Sequence, residues 1–445
     1  MATTKKSKKL GLGSCVMILI GGMFGSAIFS LSGLTIYNAG PAAIISWFAA
    51  APIMLIYGLL LAELASKFPK SGGVYVFPAK AIKGDKGKFL GWISCWCFLL
   101  CNLAAIAFAA IFVSQYLSMS FPIFHNFTIP LALIAMLLVF ILNIIKIKNS
   151  SRVTMVLVFA LIAFMIVFSV VCITNKSFDI NKMIPFLRQG KAGSLGFVSM
   201  IPVAIIAYSA ITSVAFMASE IKDPKKTIPR ASVISIVVLA LLYCLILFAT
   251  LGLITADYLS VYSQFQMVPL FAACMQLWNA PWLINLVSIA SVIALVVSMN
   301  VLIAINSRAI KAAAEDKILP KAFAASSKNG QPIVGVIITV VIASILCLFP
   351  NYVNEIVNLG VLFNVITILI VVVAYIFASK NIKAKKKDFK LKDGIFWAIL
   401  FLLIIIACNI MNILTSNLLY VLIYTIALLI VGIVIYMIAK FRSSK

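Results

Sequence analysis

The sequence contains few acidic residues and almost no histidine. Its 445 residues include 11 Asp and Glu against 36 Lys and Arg, and His125 is the single histidine. It has no HExxH, GxSxG or GxxxxGK[ST] motif, which are signatures of zinc hydrolases, serine hydrolases and nucleotide-binding loops. Because these groups are missing, we expect no enzyme, no metal site and no cofactor.

Charged residues of either sign are scarce. Only 11% of the chain is charged and 64% is hydrophobic, whereas soluble globular domains contain about 25% charged residues. A helix needs about 20 apolar residues to cross about 30 Å of hydrocarbon. Runs of that length predict an all-α integral membrane protein with twelve transmembrane helices, called spans 1 to 12, at residues 11–36, 41–65, 89–117, 128–145, 153–174, 195–218, 229–254, 281–307, 332–349, 355–379, 394–414 and 417–439.

The basic residues are placed unevenly between these spans. If the Lys-rich N-terminus is cytoplasmic, all but four of the 36 Lys and Arg residues fall in cytoplasmic segments; the four are Lys176, Lys182, Arg188 and Lys191. Because retained Lys and Arg set orientation, this bias predicts a multi-pass protein of the cell (cytoplasmic or inner) membrane with both termini cytoplasmic. The charge thus indicates topology and contact with membrane lipids, and no nucleic-acid partner; a homodimer is left open.

Residues 21–30, GGMFGSAIFS, place helix-loosening residues inside span 1. A broken helix leaves unpaired N–H and C=O groups, which a membrane protein tolerates where they line a cavity or bind a ligand. A helix N-terminus at the break would attract a carboxylate, and freed carbonyls would attract an ammonium group. A zwitterion carries both a carboxylate and an ammonium group and would therefore fit both sides of the break. The alternative is that Gly and Ser allow close helix packing, and the cluster alone does not decide between the two.

A second interruption is expected five spans later. Span 6 contains Pro202 and the small polar stretch 208–213, YSAITS, but no glycine there. Broken helices at corresponding positions are typical of inverted-repeat transporters. The sequence therefore predicts a tail at 1–10, a first repeat at 11–174, a second repeat at 195–379, two further helices at 394–439 and a tail at 440–445. No carboxylate or lysine is expected near the bilayer midplane, which favours recognition by backbone, hydroxyl, amide and aromatic groups.

Four motifs resemble those of the amino acid–polyamine–organocation (APC) transporter family, in the family's order and over nearly the whole chain. They are GGMFGSAIF in span 1, GLLLAELASKFPKSGGVYVF after span 2, SEIKDPKKTIPRA after span 6 and INSRAIKAAAEDKILPKAF after span 8. The last of these is most similar to the arginine/agmatine antiporter branch. The resemblance implies a LeuT-like 5+5 inverted repeat with broken helices 1 and 6, and helices 11 and 12 outside the repeat.

The resemblance also implies a binding site. The substrate carboxylate is expected at Gly25, Ser26 and Ala27, and its amine at the carbonyls of Met23, Ile206 and Ser209. Four further residues are expected to face the substrate side chain: Cys95, Leu99, Asn102 and Leu302. The gating candidates are Tyr208 and Phe24.

Departures from the family pattern bear on the substrate. Ala27 and Ala210 stand where glycines are usual, Thr212 where many members have an acid, Leu161 where a proton-coupled branch has lysine, and Leu302 where the arginine/agmatine branch has tryptophan. We therefore expect a permease or antiporter that moves a small or medium neutral amino acid by alternating access. An arginine or polyamine antiporter, and a transporter-like sensor without transport, remain alternatives. Sodium coupling through Ser298 is also left open.

Overall fold

A computed structural model of the chain gives its fold. The structure describes residues 9–68, 72–144, 150–187, 194–213, 216, 218, 221–261, 268–277, 281–327, 331–382, 388–415 and 419–443. Most of the expected N-terminal tail lies outside the described residues. At the other end, the last helix continues to Ser443 and so includes part of the expected tail at 440–445.

The described residues form α-helices joined by short turns and 3-10 segments. The helices are α1 (Leu12–Ile28), α2 (Leu31–Ala39), α3 (Ala43–Lys67), α4 (Gly73–Ala81), α5 (Asp85–Ser120), α6 (Thr128–Ile144), α7 (Ser150–Thr174), α8 (Gly196–Ile206), α9 (Pro224–Leu251), α10 (Ala256–Val261), α11 (Pro269–Met275), α12 (Pro281–Glu315), α13 (Ile333–Leu346), α14 (Val353–Asn381), α15 (Gly394–Thr415) and α16 (Leu419–Ser443).

Eight helical segments among the described residues are long and apolar enough to cross a membrane. Shorter apolar helices of 10–17 residues fall in spans 1, 4, 6 and 9, at Leu12–Gly25, Thr128–Ile144, Gly196–Thr212 and Ile333–Leu346. The all-helical, multi-pass character of the chain is therefore confirmed. The count of twelve spans stays a prediction.

Helices α5 and α12 extend beyond the predicted spans. α12 reaches Glu315, eight residues past the expected end at 307. The extra residues, RAIKAAAE, are mostly good helix formers. Lys311 Nζ also lies 3.8 Å from Glu315 Oε1 one turn on, a pairing that supports an exposed helix end. Apolar runs mark the hydrocarbon-crossing part of a helix and so miss such polar extensions.

Span 1 is interrupted later than the glycines suggested. α1 is helical through Gly25, Ser26 and Ala27 and ends at Ile28; Phe29 and Ser30 form the turn before α2. The interruption therefore falls within the predicted stretch GGMFGSAIFS, at its last two residues and not at its glycines. The physical reason is that Gly25 is needed for helix packing: a Cβ atom there would lie 1.9 Å from the Ala294 carbonyl oxygen in α12.

Span 6 is interrupted where the polar stretch predicted. α8 ends at Ile206, Ala207 and Tyr208 form a turn, and a 3-10 segment covers Ser209–Thr212. Pro202 lies within α8 and does not end it. The interruption therefore needs no glycine.

The two interrupted spans lie at the centre of the packing. α1 contacts α9 on one side and α12 on the other, and it also touches the 3-10 segment of span 6. α9 packs extensively on α3, and α5 packs on both α12 and α14. The interrupted helices are thereby held among long continuous ones.

Candidate functional site

One tyrosine hydroxyl joins the two interrupted spans. Tyr243, in α9, is fully buried. Its hydroxyl lies 2.8 Å from the Met23 carbonyl oxygen and 3.5 Å from the Ala207 carbonyl oxygen, and it can donate to either. Met23 is in α1, and Ala207 lies in the turn after α8. The backbone of both spans therefore presents carbonyl oxygens to one buried point.

Aromatic rings surround this point. The Tyr243 ring stacks on Phe24 at 6.1 Å between centroids, and meets Trp47 and Tyr208 edge-on at 4.8 and 5.4 Å. The Tyr208 hydroxyl donates to the Trp47 carbonyl at 3.2 Å. Both gating candidates, Phe24 and Tyr208, therefore pack against Tyr243. Each group named here is uncharged, and ring faces of this kind accept apolar or cationic groups.

The turn in span 1 is held by neutral hydroxyl groups. Tyr116, in α5, donates its hydroxyl to the Phe29 carbonyl at 2.8 Å. Ser32 donates to the Ile28 carbonyl, one turn back. The last carbonyls of a helix have no partner within it, so side chains must supply one inside a membrane protein. Hydroxyls meet this need here without introducing charge.

Small residues bring the interruptions into contact. A Cβ atom added at Gly22 would lie 3.0 Å from the Ala210 Cβ and 3.2 Å from Val301 Cγ1. Ala210, where many family members have glycine, therefore fits because its neighbour Gly22 has no side chain. Ser298, in α12, donates to the Gly22 carbonyl at 3.2 Å. A span 8 hydroxyl and a span 1 carbonyl thus meet in a direct hydrogen bond, and not as two oxygens that face a shared cation.

Several predicted site residues gather here. Met23, Phe24 and Ala27 are each 1% exposed, and Gly25 is buried beside them. Ser26 lies in α1, but its side chain falls outside the described part of the chain. On span 6, Ile206 ends α8, and the Ser209 carbonyl accepts from Thr212 at 2.8 Å. The carbonyl that shares Tyr243 with Met23 is that of Ala207, next to the predicted Ile206.

The residues predicted to face the substrate side chain lie on α5 and α12. Cys95 and Asn102 of α5 turn towards α12: Cys95 Sγ is 3.9 Å from the Ala309 carbonyl, and Asn102 Nδ2 is 2.8 Å from Asn306 Oδ1. Leu99 lines a cavity between these helices. Leu302 is buried in α12, 5% exposed. None of these described contacts reaches Tyr243.

Sequence reasoning missed Tyr243 and Trp47. Trp47 donates its indole N–H to Thr35 Oγ1 at 2.9 Å and so ties α3 to α2. Both residues sit in apolar spans with no polar neighbour that singles them out. The available signal was a buried ring with a polar tip, which usually requires a hydrogen-bond partner.

Comparison with known proteins identifies the family of the chain. Residues 10–435 match the family described as amino acid permease. The branched-chain amino acid permease BcaP of Bacillus subtilis (strain 168) is 26% identical over 334 residues, covering 70% of this chain and 68% of that protein. The histidine permease HisP of Lactococcus lactis subsp. cremoris (strain MG1363) is 25% identical, covering 74% and 70%. The serine/threonine exchanger SteT of Bacillus subtilis (strain 168) is 25% identical, covering 56% of each chain.

The family match spans almost all of the sequence, and the relatives are permeases, that is, transporters and not enzymes. The chain belongs to the amino acid permease family of the amino acid–polyamine–organocation superfamily.

Proposed function

We propose that this chain is a secondary active transporter of a small or medium neutral amino acid. One observation carries the proposal: carbonyls from both interrupted spans, at Met23 and Ala207, meet at the buried hydroxyl of Tyr243. Carbonyl oxygens that converge in this way bind an ammonium group well, because each of its N–H bonds can take one oxygen. Tyr243 acts as a positioning residue that keeps the two carbonyls together.

The carboxylate is assigned to the backbone around Gly25, Ser26 and Ala27. In the structure these residues belong to α1, so their N–H groups lie within a helical ladder. Binding of a carboxylate there requires this last turn of α1 to loosen. The interruption at Phe29 and Ser30 lies directly after it, so loosening extends an existing break and needs no new one.

The neutral character of the site favours a neutral substrate. The groups around Tyr243 are ring faces, hydroxyls and carbonyls, and Thr212 stands where many family members have an acid. A cationic side chain buried here would lack a carboxylate partner, which costs several kcal/mol in a membrane interior. The names of BcaP and SteT, which refer to branched-chain amino acids, serine and threonine, fit the same choice, whereas HisP is named for histidine and a further relative from Bacillus subtilis (strain 168), 24% identical, for aspartate.

The transport cycle proposed is alternating access in a fold of twelve spans with a 5+5 repeat. Spans 1, 2, 6 and 7 would rock against spans 3, 4, 8 and 9, with Tyr208 and Phe24 as gates. Contacts within each group support this division, because α3 packs on α8 and α9, while α5, α6, α12 and α13 pack on one another; α1 packs on both α9 and α12 and so lies between the two groups. Both termini are placed in the cytoplasm on the strength of the basic loops.

Uptake into proteoliposomes tests the proposal. Labelled neutral amino acids, arginine, agmatine and a polyamine are offered to vesicles that are empty or preloaded with the same compound, at symmetric pH and without sodium. We expect a neutral amino acid to be taken up, and preloading to accelerate it. Faster uptake of arginine or a polyamine would overturn the substrate assignment. Binding without uptake under any proton or sodium gradient would instead establish a sensor.

A further inference from the structure

The cavity that Leu99 lines lies between α5, α12, α13 and α16, and Tyr243 is not part of its wall. Its volume is about 530 Å³, within the range of about 300–1,000 Å³ that is usual for ligand sites. Leu99, Leu103, Ile338 and Ile435 line it, together with the rings of Trp92 and Trp96. The cavity presents apolar atoms only. It therefore suits a hydrocarbon chain and not an amino acid.

Its few polar side chains are already satisfied by neighbours. Trp92 Nε1 donates to the Gly432 carbonyl at 2.7 Å, and Trp96 Nε1 to the Leu428 carbonyl at 2.9 Å. Thr339 donates to the Gly335 carbonyl at 2.8 Å. The two indoles also fix α16 against α5, so the wall of the cavity is built by specific bonds.

A smaller basic cavity adjoins it. This second space, of about 180 Å³, shares Leu319, Pro320 and Ile435 with the first and adds Lys317 and Arg442. Both basic side chains are exposed, and neither forms a salt bridge with a carboxylate of the described residues. By contrast, nearby Lys440 is paired with Asp85 at 2.8 Å. Lys317 and Arg442, which have no carboxylate partner among the described residues, therefore lie beside the apolar cavity.

We propose that this pair of cavities binds an anionic phospholipid. The phosphate lies between Lys317 and Arg442, and one acyl chain enters the apolar cavity beside Trp92 and Trp96. The two parts of the site match the two parts of the lipid. The basic side chains attract the phosphate of the headgroup, and the apolar cavity accepts the hydrocarbon of an acyl chain. A bound lipid would contact α12, α13 and α16 at once and so stabilise the packing of these three helices.

Native mass spectrometry of the full-length protein tests the headgroup contact. The detergent-solubilised protein is titrated with phosphatidylglycerol or with phosphatidylcholine of identical chains. We expect one tightly retained phosphatidylglycerol and weaker retention of phosphatidylcholine. Each basic residue near an anionic group contributes about fivefold in affinity, since it is worth about 1 kcal/mol. The double variant Lys317→Gln/Arg442→Gln should therefore bind phosphatidylglycerol roughly twenty-fivefold more weakly.

A matched control removes the same charges elsewhere. Lys222→Gln/Arg230→Gln takes one exposed lysine and one exposed arginine from another part of the surface. This control should retain phosphatidylglycerol as the wild type does. Equal retention of the two lipids by wild-type protein, or equal loss in the two double variants, would overturn the proposal.

A second pair of variants tests the acyl-chain cavity. Val431→Trp fills the cavity that Val431 lines, whereas Val434→Trp places the same ring on the same helix outside that lining. The two valines are 46% and 47% exposed, so the surface change is matched. We expect Val431→Trp alone to lose the retained lipid. Retention by both variants would show that no chain enters the cavity.

Discussion

Helices α1 and α8 are short and end inside their spans, after 17 and 11 residues, whereas α5 and α12 run unbroken for 36 and 35. An unbroken helix pairs its backbone groups internally, although single carbonyls, such as that of Ala309 in α12, also accept from a neighbouring side chain. In the interrupted spans, two such carbonyls meet at one hydroxyl, that of Tyr243: Ala207 lies in the turn after α8, and Met23 lies within α1, five residues before its end. In this protein, carbonyls of the two interrupted spans meet at one buried hydroxyl. The long continuous helices, such as α5 and α12, form the frame around them.

The long helices are joined in addition by pairs of amide side chains. Asn102 and Asn306 join α5 to α12 through their side chains, and Asn143 joins α6 to α12 through Asn300 at 2.8 Å. Amide pairs of this kind hold helices together without exposing the backbone. Substitutions in the two regions should therefore have different consequences, from large effects at the breaks to small effects in the frame.

The largest effect is expected from Gly25→Ala. The added Cβ atom would lie 1.9 Å from the Ala294 carbonyl, a backbone atom that cannot move aside alone. We expect a loss of about 3 kcal/mol or more in the free energy of unfolding, at the upper end of overpacking effects. Thermal unfolding of the purified protein measures it. Gly13→Ala, in the same helix with nothing within 4 Å, is the control, and similar midpoints for the two variants would contradict the packing seen here.

A smaller effect, measured on transport, is expected from Tyr243→Phe. Loss of the hydroxyl leaves the Met23 carbonyl without its donor and frees the two carbonyls to separate. A buried hydrogen bond of this kind is worth about 1–3 kcal/mol, so the KM for the transported amino acid should rise about tenfold while kcat changes little. Initial rates of uptake at several substrate concentrations provide both parameters.

Tyr57→Phe is the matched control for that measurement. Tyr57 is also fully buried, and its hydroxyl has no hydrogen-bond partner among the described residues. Its removal should leave the KM unchanged. An equal rise in KM for both variants would mean that any buried tyrosine affects transport, and the positioning role of Tyr243 would be lost.

The smallest effect is expected in the frame, from Asn102→Leu and Asn306→Leu. Hydrogen bonds between membrane helices contribute about 0.6 kcal/mol on average and about 1.7 at most. We expect each variant to lose about this much stability, and the double variant to lose no more than either alone. A rise in KM for Asn102→Leu but not for Asn306→Leu would instead show that Asn102 contacts the substrate.

Much of the fold was predictable because a membrane helix carries its signal in composition. The apolar runs in the sequence predicted the positions of the eight long apolar helices among the described residues. The uneven distribution of Lys and Arg between the loops is likewise visible in the sequence alone. The site was predictable only in part. The glycines of GGMFGSAIFS suggest flexibility, but Gly22 and Gly25 serve close packing against Ala210 and Ala294, and the turn comes after them.

The remainder depends on contacts between distant residues. Tyr243 lies 220 positions from Met23 in the chain, and nothing in the residues around it indicates that its hydroxyl reaches span 1. The cavity beside Trp92 and Trp96 likewise depends on where α16 packs, which the sequence of α16 does not specify. The sequence motifs were sufficient to indicate the family, but which residues contact one another depends on the three-dimensional packing.

The central claim is that the broken spans hold both ends of a zwitterion, and competition measures this most directly. Uptake of the labelled amino acid identified in the proteoliposome panel is measured against three unlabelled competitors: the same amino acid, its decarboxylated amine and its deaminated hydroxy acid. The intact amino acid should compete, and each truncated compound should compete at least about tenfold more weakly, because each lacks one charge-assisted set of hydrogen bonds. Equal competition by the amine or the hydroxy acid would contradict recognition of both ends.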